Sequence, residues 1–143
     1  MAFRCASPSN KLIDWRAPPG TVMKFQKGTE IAAGGHFAGG IVAQGVTFTS
    51  AESEPHPGDW AGIYIGNDGS GDFSDDTFEY AGQDGFAALG SSIDGRRRLN
   101  IRNSHFRRNA GPSIGEPVSC DKWRNPALKN VFEDEPFCAR HKH

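Results

Sequence analysis

The chain has 143 residues, of which 16 are lysine or arginine and 17 are aspartate or glutamate, so its net charge is close to zero. This balance excludes a global electrostatic field that would draw the protein to nucleic acid or to an anionic membrane. No apolar run approaches the length of a membrane-spanning helix, and 18 glycines scattered among short apolar pairs favour strands joined by turns.

The first fifteen residues lack the apolar region of a secretory signal, so the chain as written is expected to stay in the cytoplasm. Three cysteines are an odd number, which agrees with a reducing compartment. Cys120 and Cys138 both fall in the last part of the chain and would be able to pair under oxidising conditions. Cys5 is expected to be a free thiol.

From residue 18 onward, short phrases with an apolar–polar–apolar pattern recur. They occur at Met23 and Phe25, at Val46 and Phe48, at Phe78 and Tyr80, at Phe106, and at Phe132. The successive steps measure 23, 32, 26 and 26 residues. A nearly constant step of this size indicates stacked layers, because a single layer cannot bury its apolar face alone.

Further strands follow the phrases. The segments WAGIYIG and RLNIRNS alternate apolar and polar residues, as half-buried strands do. No amphipathic helix of the length that a βαβ unit needs is visible in residues 20–115, and one short helical turn is expected in SCDKWRNPALKN. Layers of short parallel strands joined by turns form a β-helix.

The run PGTVMKF, IVAQGVTFTSA, PGDWAGIYIG, FEYAG and IRNSHFRRNAG resembles the right-handed parallel β-helix proteins of the pectin-lyase-like superfamily. It is similar in particular to uncharacterised bacterial β-helix repeats in which TFTSA precedes a PGDW-GI segment. The resemblance covers roughly residues 18–133. It implies a fold but little chemistry, because this superfamily includes lyases, hydrolases, adhesins and scaffolds.

We therefore predict an all-β, small right-handed parallel β-helix of about five coils. Residues 1–17 are predicted as an N-terminal lid, 18–133 as the repeats and 134–143 as a C-terminal tail. The predicted core consists of Met23, Phe25, Val46, Phe48, Ile63, Ile65, Phe78, Tyr80, Leu99, Ile101, Phe106 and Phe132.

The fourth layer carries a basic cluster, which consists of Arg96, Arg97, Arg98, Arg102, His105, Arg107 and Arg108. One interpretation is a surface for a polyanion. The other is a set of ion pairs between layers, because a step of 26 residues leads from several of these residues to acidic ones. The predicted pairs are Arg102 with Asp76, His105 with Glu79, Arg107 with Glu133, and Arg108 with Asp134. Such pairs help to set strand register, and we favour this interpretation.

The stretch GNDGSGDFSDD offers oxygen ligands, and Asp68, Asp72 and Asp76 are its weak Ca²⁺ candidates. It lacks the spacing of an EF-hand loop, so a solvated loop is the competing interpretation. Together with ESEPHPGD it accounts for the long third step, and inserted loops of repeat proteins often carry binding. Trp60 and Tyr64 lie beside it, where aromatic rings would stack on sugars or, alternatively, cover the core.

The leading functional hypothesis is a non-catalytic scaffold that binds a carbohydrate or a protein partner through this face. Its candidate ligand-binding residues are Trp60, Tyr64, Asp68, Asp72 and Arg97. No catalytic residue, cofactor, nucleic-acid partner or membrane partner is predicted, Ca²⁺ aside. The competing hypothesis is a minimal or degenerate polysaccharide lyase or hydrolase that uses Asp72 or Asp76 with a neighbouring arginine.

Both ends of a stacked fold expose unpaired strand edges. Trp123 and Phe137 are expected to cover the C-terminal end of the core. At the other end, Leu12, Ile13 and Trp15 are candidates for a lid or a partial strand, and otherwise a homo-oligomer through the open end is expected. Asn103, Asn109 and Asn130 are expected to hydrogen-bond backbone groups at the corners between layers; they are named here as structural residues.

Overall fold

The chain folds into a parallel β-solenoid of about four turns, slightly fewer than the five coils that the sequence predicted. The computed structural model describes residues 2–5, 14–34, 39–92, 99–116 and 120–140. All strand pairings in this part of the chain are parallel, and three short 3₁₀ helices are the only helical segments there. The all-β prediction is confirmed.

Three sheets form the walls of the solenoid. Sheet A contains β1 (Ala2–Cys5), β4 (Glu30–Ala33), β7 (Gly62–Ile65), β10 (Leu89–Ser91), β13 (Ile114–Glu116) and β15 (Cys138–Arg140). Sheet B contains β2 (Asp14–Ala17), β5 (Gly39–Gln44), β8 (Gly69–Ser74) and β11 (Leu99–Arg102). Sheet C contains β3 (Val22–Phe25), β6 (Thr47–Ser50), β9 (Thr77–Glu79), β12 (His105–Arg107) and β14 (Val131–Phe132). The 3₁₀ helices are η1 (Gln83–Gly85), η2 (Asp121–Arg124) and η3 (Pro126–Leu128).

An aromatic ladder runs through the core along sheet C. Phe48, Phe78, Phe106 and Phe132 stack in order, with ring centroids 5.1, 4.4 and 5.1 Å apart. Parallel in-register pairing places equivalent side chains above one another, so one apolar ring per layer suffices to build a continuous column. The inward position therefore has to be filled in every coil.

The predicted alignment of the layers is wrong by two residues in the first half of the stack. The observed steps along the aromatic ladder from Met23 are 25, 30, 28 and 26 residues, and Phe78 rather than Tyr80 lies opposite Phe106. Tyr80 follows the end of β9 and has a φ of 63°, in the left-handed region. Its side chain is only half-buried, because the strand has ended and the alternation of inward and outward residues ends with it.

The shifted alignment changes every predicted ion pair. Arg107 Nε bonds Glu79 at 2.9 Å, and His105 contacts Glu133, so these two residues exchange the partners that the sequence predicted. Arg102 lies 3.9 Å from Asp72, not beside Asp76. Arg108 donates to the Tyr80 hydroxyl at 3.2 Å, and Asp134 is buried elsewhere. The picture of charges paired between layers holds for three of the four basic residues, while Arg96, Arg97 and Arg98 lie outside the described residues.

One corner of the solenoid carries a ladder of polar bonds between successive coils. The Val46 N–H donates to Asp76 Oδ1 at 2.8 Å, and the Asp76 N–H donates to Ser104 Oγ at 3.4 Å. The Ser104 N–H donates to Asn130 Oδ1 at 3.0 Å, and Asn130 in turn donates to the Trp123 carbonyl of the C-terminal cap. Each coil thus supplies the acceptor that the preceding coil lacks, as buried backbone donors require. We call these four residues, Val46 to Asn130, the corner ladder.

The corner ladder is possible because the residue before each of its members turns the chain with a positive φ. These residues are Gly45, Asp75, Asn103 and Lys129. A second corner is held by Asn109, which accepts from the Ala81 N–H at 2.8 Å and donates to Asp134 at 2.7 Å. The predicted structural role of Asn109 and Asn130 is confirmed, and Asn103 acts through its backbone conformation.

The two ends differ from the simple lid and tail that the sequence suggested. The segment 1–17 adds β1 and β2 to sheets A and B, which is the partial-strand alternative, and residues 6–13 lie outside the described part. At the C-terminus, Trp123 is buried and Phe137 packs against Phe132 at 5.3 Å, as predicted. Association through the edge formed by β1, β2 and β3 stays a prediction.

Cys120 and Cys138 form a disulfide, which ties β15 to the segment that precedes η2. The sequence left this pairing open. Disulfides persist in oxidising surroundings, so the cytoplasmic location expected from the sequence stays a prediction that a lasting Cys120–Cys138 bond would contradict.

Candidate functional site

A groove of about 280 Å³ lies on the outer face of sheet A. Its lining includes Glu30, Gly62, Tyr64, Phe86, Gly90 and Gly115. Outward positions of neighbouring strands line up in a parallel sheet, and here most of them carry hydrogen or a methyl group. A depression floored by backbone results, because no side chains fill it.

The floor and one wall of the groove follow from the register of β7, β10 and β13. Tyr64 pairs with Gly90, which pairs with Gly115. A Cβ atom on Gly90 would lie 3.5 Å from the Tyr64 ring, so the ring stands directly beside the glycine floor. A Cβ atom on Gly115 would lie 3.0 Å from the Ala87 methyl group, which marks the opposite side. Tyr64 is thus the one large outward side chain of this row.

The second wall is the ring of Phe86, which is 58% exposed. It follows η1 in the loop between β9 and β10, and that loop is fastened at both ends. Gln83 N–H donates to the Trp60 carbonyl at 3.1 Å, and Ala88 N–H donates to the Pro112 carbonyl at 2.9 Å. An apolar ring held in water by a bonded backbone marks a binding surface more often than a ring on a loose loop does.

Glu30 supplies the charge in the groove. It is the first residue of β4 and pairs with Gly62, so no neighbouring Cβ screens it on that side. Its side chain is half-exposed, and it is the only charged residue among the described residues that line the groove. The site therefore combines two aromatic rings, a flat glycine floor and one carboxylate.

The residues predicted as ligand-binding do not form one cluster. Tyr64 lies in the groove. Trp60 is fully buried, stacks on Phe25 at 4.2 Å and donates its indole N–H to a backbone carbonyl, so it covers the core and presents no face to a ligand. Asp68 lies in the turn after β7, and Asp72 lies on the outer face of sheet B. Arg97 is outside the described residues.

The acidic stretch is not the loop that the sequence suggested, because residues 69–74 form β8. The three Ca²⁺ candidates consequently lie in a turn, on a sheet face and in a corner. In the described part of the chain, no group of three or more His, Cys, Asp or Glu side chains is arranged to hold a metal ion. The inserted loop is the segment 51–58 alone, which connects β6 to β7.

Asp76 is the most perturbed carboxyl group of the described residues. Its side chain is 1% exposed, Oδ1 accepts the Val46 N–H, and Oδ2 is buried without a hydrogen-bond partner. Burial raises the pKa of Asp76 to about 7, and the nearby charges of Asp75 and Asp72 act in the same direction, against the opposing effect of backbone hydrogen bonds. Since no ligand reaches this position from solvent, the group affects stability rather than binding.

A second buried carboxylate fastens the inserted loop. Asp59 accepts from the Ser50 hydroxyl at 2.6 Å and from the His56 N–H at 3.0 Å. Burial raises the pKa of Asp59, but these hydrogen bonds outweigh it, so its pKa lies below the ordinary value. The hydroxyl donates directly to the carboxylate, which is the geometry of a structural clamp rather than of a base-activated nucleophile.

Sequence reasoning missed Glu30, Phe86 and the glycine floor. The signal was present in the segments GIYI, LGS and IGE, where an outward Tyr64 is followed on the next two layers by Gly90 and Gly115. Reading that signal requires the correct register, and the two-residue error concealed it.

No protein-family model matches the chain, and no curated protein or solved structure matches it either. The resemblance to the pectin-lyase-like superfamily thus stays an expectation, while the parallel solenoid itself is observed. Among the residues that the structure describes, no helix has the length and apolar character needed to cross a bilayer.

Proposed function

We propose that this protein is a non-catalytic binding scaffold that holds a carbohydrate in the groove on sheet A. The observation that carries the proposal is the pair of aromatic side chains, Tyr64 and Phe86, that flank a floor of glycine backbone. The flat apolar face of a sugar ring packs on aromatic rings, and its hydroxyl groups bond polar groups at the rim.

The size of the groove limits the ligand. At about 280 Å³ it lies near the lower end of the range of ligand pockets, roughly 300–1,000 Å³. Roughly one sugar ring of a longer chain fills such a space, with the remainder of the chain outside it. Covering the exposed ring of Phe86 contributes about 1–2 kcal/mol to binding, so we expect weak, micromolar to millimolar affinity.

The test is a glycan array followed by calorimetric titration of the bound glycans. Tyr64→Ala and Phe86→Ala should each weaken binding about tenfold, because each removes about 1.4 kcal/mol of contact. Val131→Ala is the matched control, since Val131 is 50% exposed on sheet C, away from the groove. Absence of any glycan binding, or equal affinity of all three variants, would refute the proposal.

The alternative is a minimal polysaccharide-acting enzyme, and one observation favours it: Asp72 lies 3.9 Å from Arg102 on the open face of sheet B. Asp76, the other acid that the sequence offered for this role, is buried. Released reducing ends and unsaturated products should be assayed alongside binding. Turnover that disappears in Asp72→Asn would establish the enzyme and overturn the non-catalytic assignment.

A further inference from the structure

We infer that the groove selects a cationic sugar, namely an amino sugar with a free, protonated amine. The inference rests on the proposed function and specifies its substrate class. The carrying juxtaposition is the carboxylate of Glu30 in the same groove as the rings of Tyr64 and Phe86.

The first step concerns charge. Glu30 is the only charged residue among the described lining residues, so the groove has a negative end and no described positive counterpart. An acidic sugar placed there faces a like charge, a neutral sugar gains an ordinary hydrogen bond, and an ammonium group gains a charge-assisted bond. The order of preference is therefore cationic, neutral, acidic. It is opposite to the preference for acidic polysaccharides that the resemblance to pectin-lyase-like proteins would suggest.

The second step concerns the rings. An ammonium group is attracted to the face of an aromatic ring, and the attraction grows where water is excluded. Tyr64 stands beside Gly90, and Phe86 borders the same space, so a ring that packs between them carries its amine close to aromatic faces. The aromatic walls and the carboxylate thus favour the same ligand chemistry.

The third step concerns access. Glu30 pairs with Gly62 across β4 and β7, and Gly62 has no side chain that would stand between the carboxylate and the floor. Two further glycines, Gly90 and Gly115, continue that floor across the sheet. A ligand that lies on the floor reaches the carboxylate without displacing a side chain of this row.

The experiment compares three oligosaccharides of equal length in calorimetric titrations: fully deacetylated glucosamine oligomers, N-acetylated ones and galacturonate ones. At a pH that keeps the sugar amine protonated, we expect the deacetylated oligomer to bind about tenfold more tightly than the acetylated one. The galacturonate oligomer should bind most weakly. The preference should decline as salt is added, since the groove is open to solvent.

Variants assign the effect to the groove. Glu30→Gln should abolish the tenfold preference and leave the affinity for the acetylated oligomer unchanged, whereas Glu54→Gln, which removes an exposed charge from the inserted loop, should change neither. Gly90→Leu should abolish binding of both oligomers, because its side chain fills the floor; the 3.5 Å distance from a Cβ atom to the Tyr64 ring is an ordinary contact, so the fold accommodates it.

The outcomes separate this inference from the function on which it rests. If glycans bind and Tyr64→Ala weakens them but Glu30→Gln leaves selectivity unchanged, the amino-sugar assignment is overturned and the carbohydrate scaffold stands. If no saccharide binds, both are overturned. A lysine-rich peptide that binds more tightly than the deacetylated oligomer, and loses binding in Glu30→Gln, would replace the sugar by a basic polypeptide.

Discussion

Replacement of Asp76 by asparagine tests how a buried carboxyl group controls the stability of the solenoid. Asp76 is 1% exposed, and its pKa is raised from 3.8 to about 7, with burial as the largest cause. The folded state therefore holds a proton that the unfolded chain releases at lower pH. The stability contributed by the protonated form is fully present below pH 4 and declines as the pH rises towards 7.

The magnitude follows from the size of the shift. One pKa unit corresponds to about 1.4 kcal/mol, so the shift of Asp76 from 3.8 to about 7 corresponds to about 4 kcal/mol in all. Part of this falls below pH 5. Between pH 5 and pH 8 the free energy of unfolding of the native sequence should decrease by about 2.5 kcal/mol relative to that of Asp76→Asn, which cannot ionise.

The assay is urea unfolding of both proteins with the Cys120–Cys138 disulfide intact, at several pH values between 5 and 8. Asp76→Asn keeps an oxygen that can accept the Val46 N–H, so the corner ladder survives the change. Asp84→Asn, an exposed carboxylate in η1, is the matched control and should follow the native pH dependence. Parallel pH profiles for Asp76→Asn and the native protein, or a native protein that gains stability relative to the variant as pH rises, would show that this reasoning is wrong.

Two further predictions concern the core and the turns. Phe78→Ala, in the centre of the aromatic ladder, should lower the free energy of unfolding by about 3–5 kcal/mol, while the same truncation of the exposed Val131 should change it by less than about 0.5 kcal/mol; equal urea midpoints for the two variants would contradict the ladder. Gly82→Ala should be far more destabilising than Gly85→Ala in thermal unfolding. Both glycines have a positive φ, but a Cβ atom on Gly82 would lie 2.3 Å from the Gly111 nitrogen, whereas one on Gly85 would meet nothing within 4 Å. The cost at Gly85 should be the conformational penalty alone, about 1–2 kcal/mol, and a similar loss at both positions would refute the close approach.

Much of the architecture follows from the sequence because stacked layers repeat a physical requirement. Each coil has to place an apolar ring inside, so Phe48, Phe78, Phe106 and Phe132 recur at similar steps and reveal the fold before any coordinates do. The steps differ from coil to coil, since turns of different lengths join the strands. Distance along the chain therefore gives the number of layers better than it gives the residue opposite.

The register was missed at one identifiable residue. Tyr80 is aromatic and two positions from Phe78, so it fits an inward alternation, but it occupies a left-handed corner where alternation no longer applies. Periodicity alone does not show where a strand of three residues ends. The corner residues give a better alignment: Gly45, Asp75 and Asn103 are types that tolerate positive φ, and each precedes a member of the corner ladder.

The candidate site was predicted less well than the fold, for a related reason. A surface groove on a solenoid is defined by side chains that are missing, and an outward Gly90 has meaning only once its neighbours on adjacent strands are known. Trp60 illustrates the reverse error, because its place before a strand suggested an exposed platform. The inserted loop folds back through Asp59, and the indole instead stacks on Phe25.

The corner ladder gives the stack a polarity that matters for how such a chain can grow or be shortened. Because the Ser104 N–H finds its acceptor in Asn130, one coil further along, removal of coils from the C-terminal end orphans a buried donor in the coil that remains. Trimming from the opposite end leaves every later donor satisfied. A duplicated coil is accepted at any height provided that its corner carries an aspartate, serine or asparagine, so lengthening by repetition depends on a single short polar side chain per added turn.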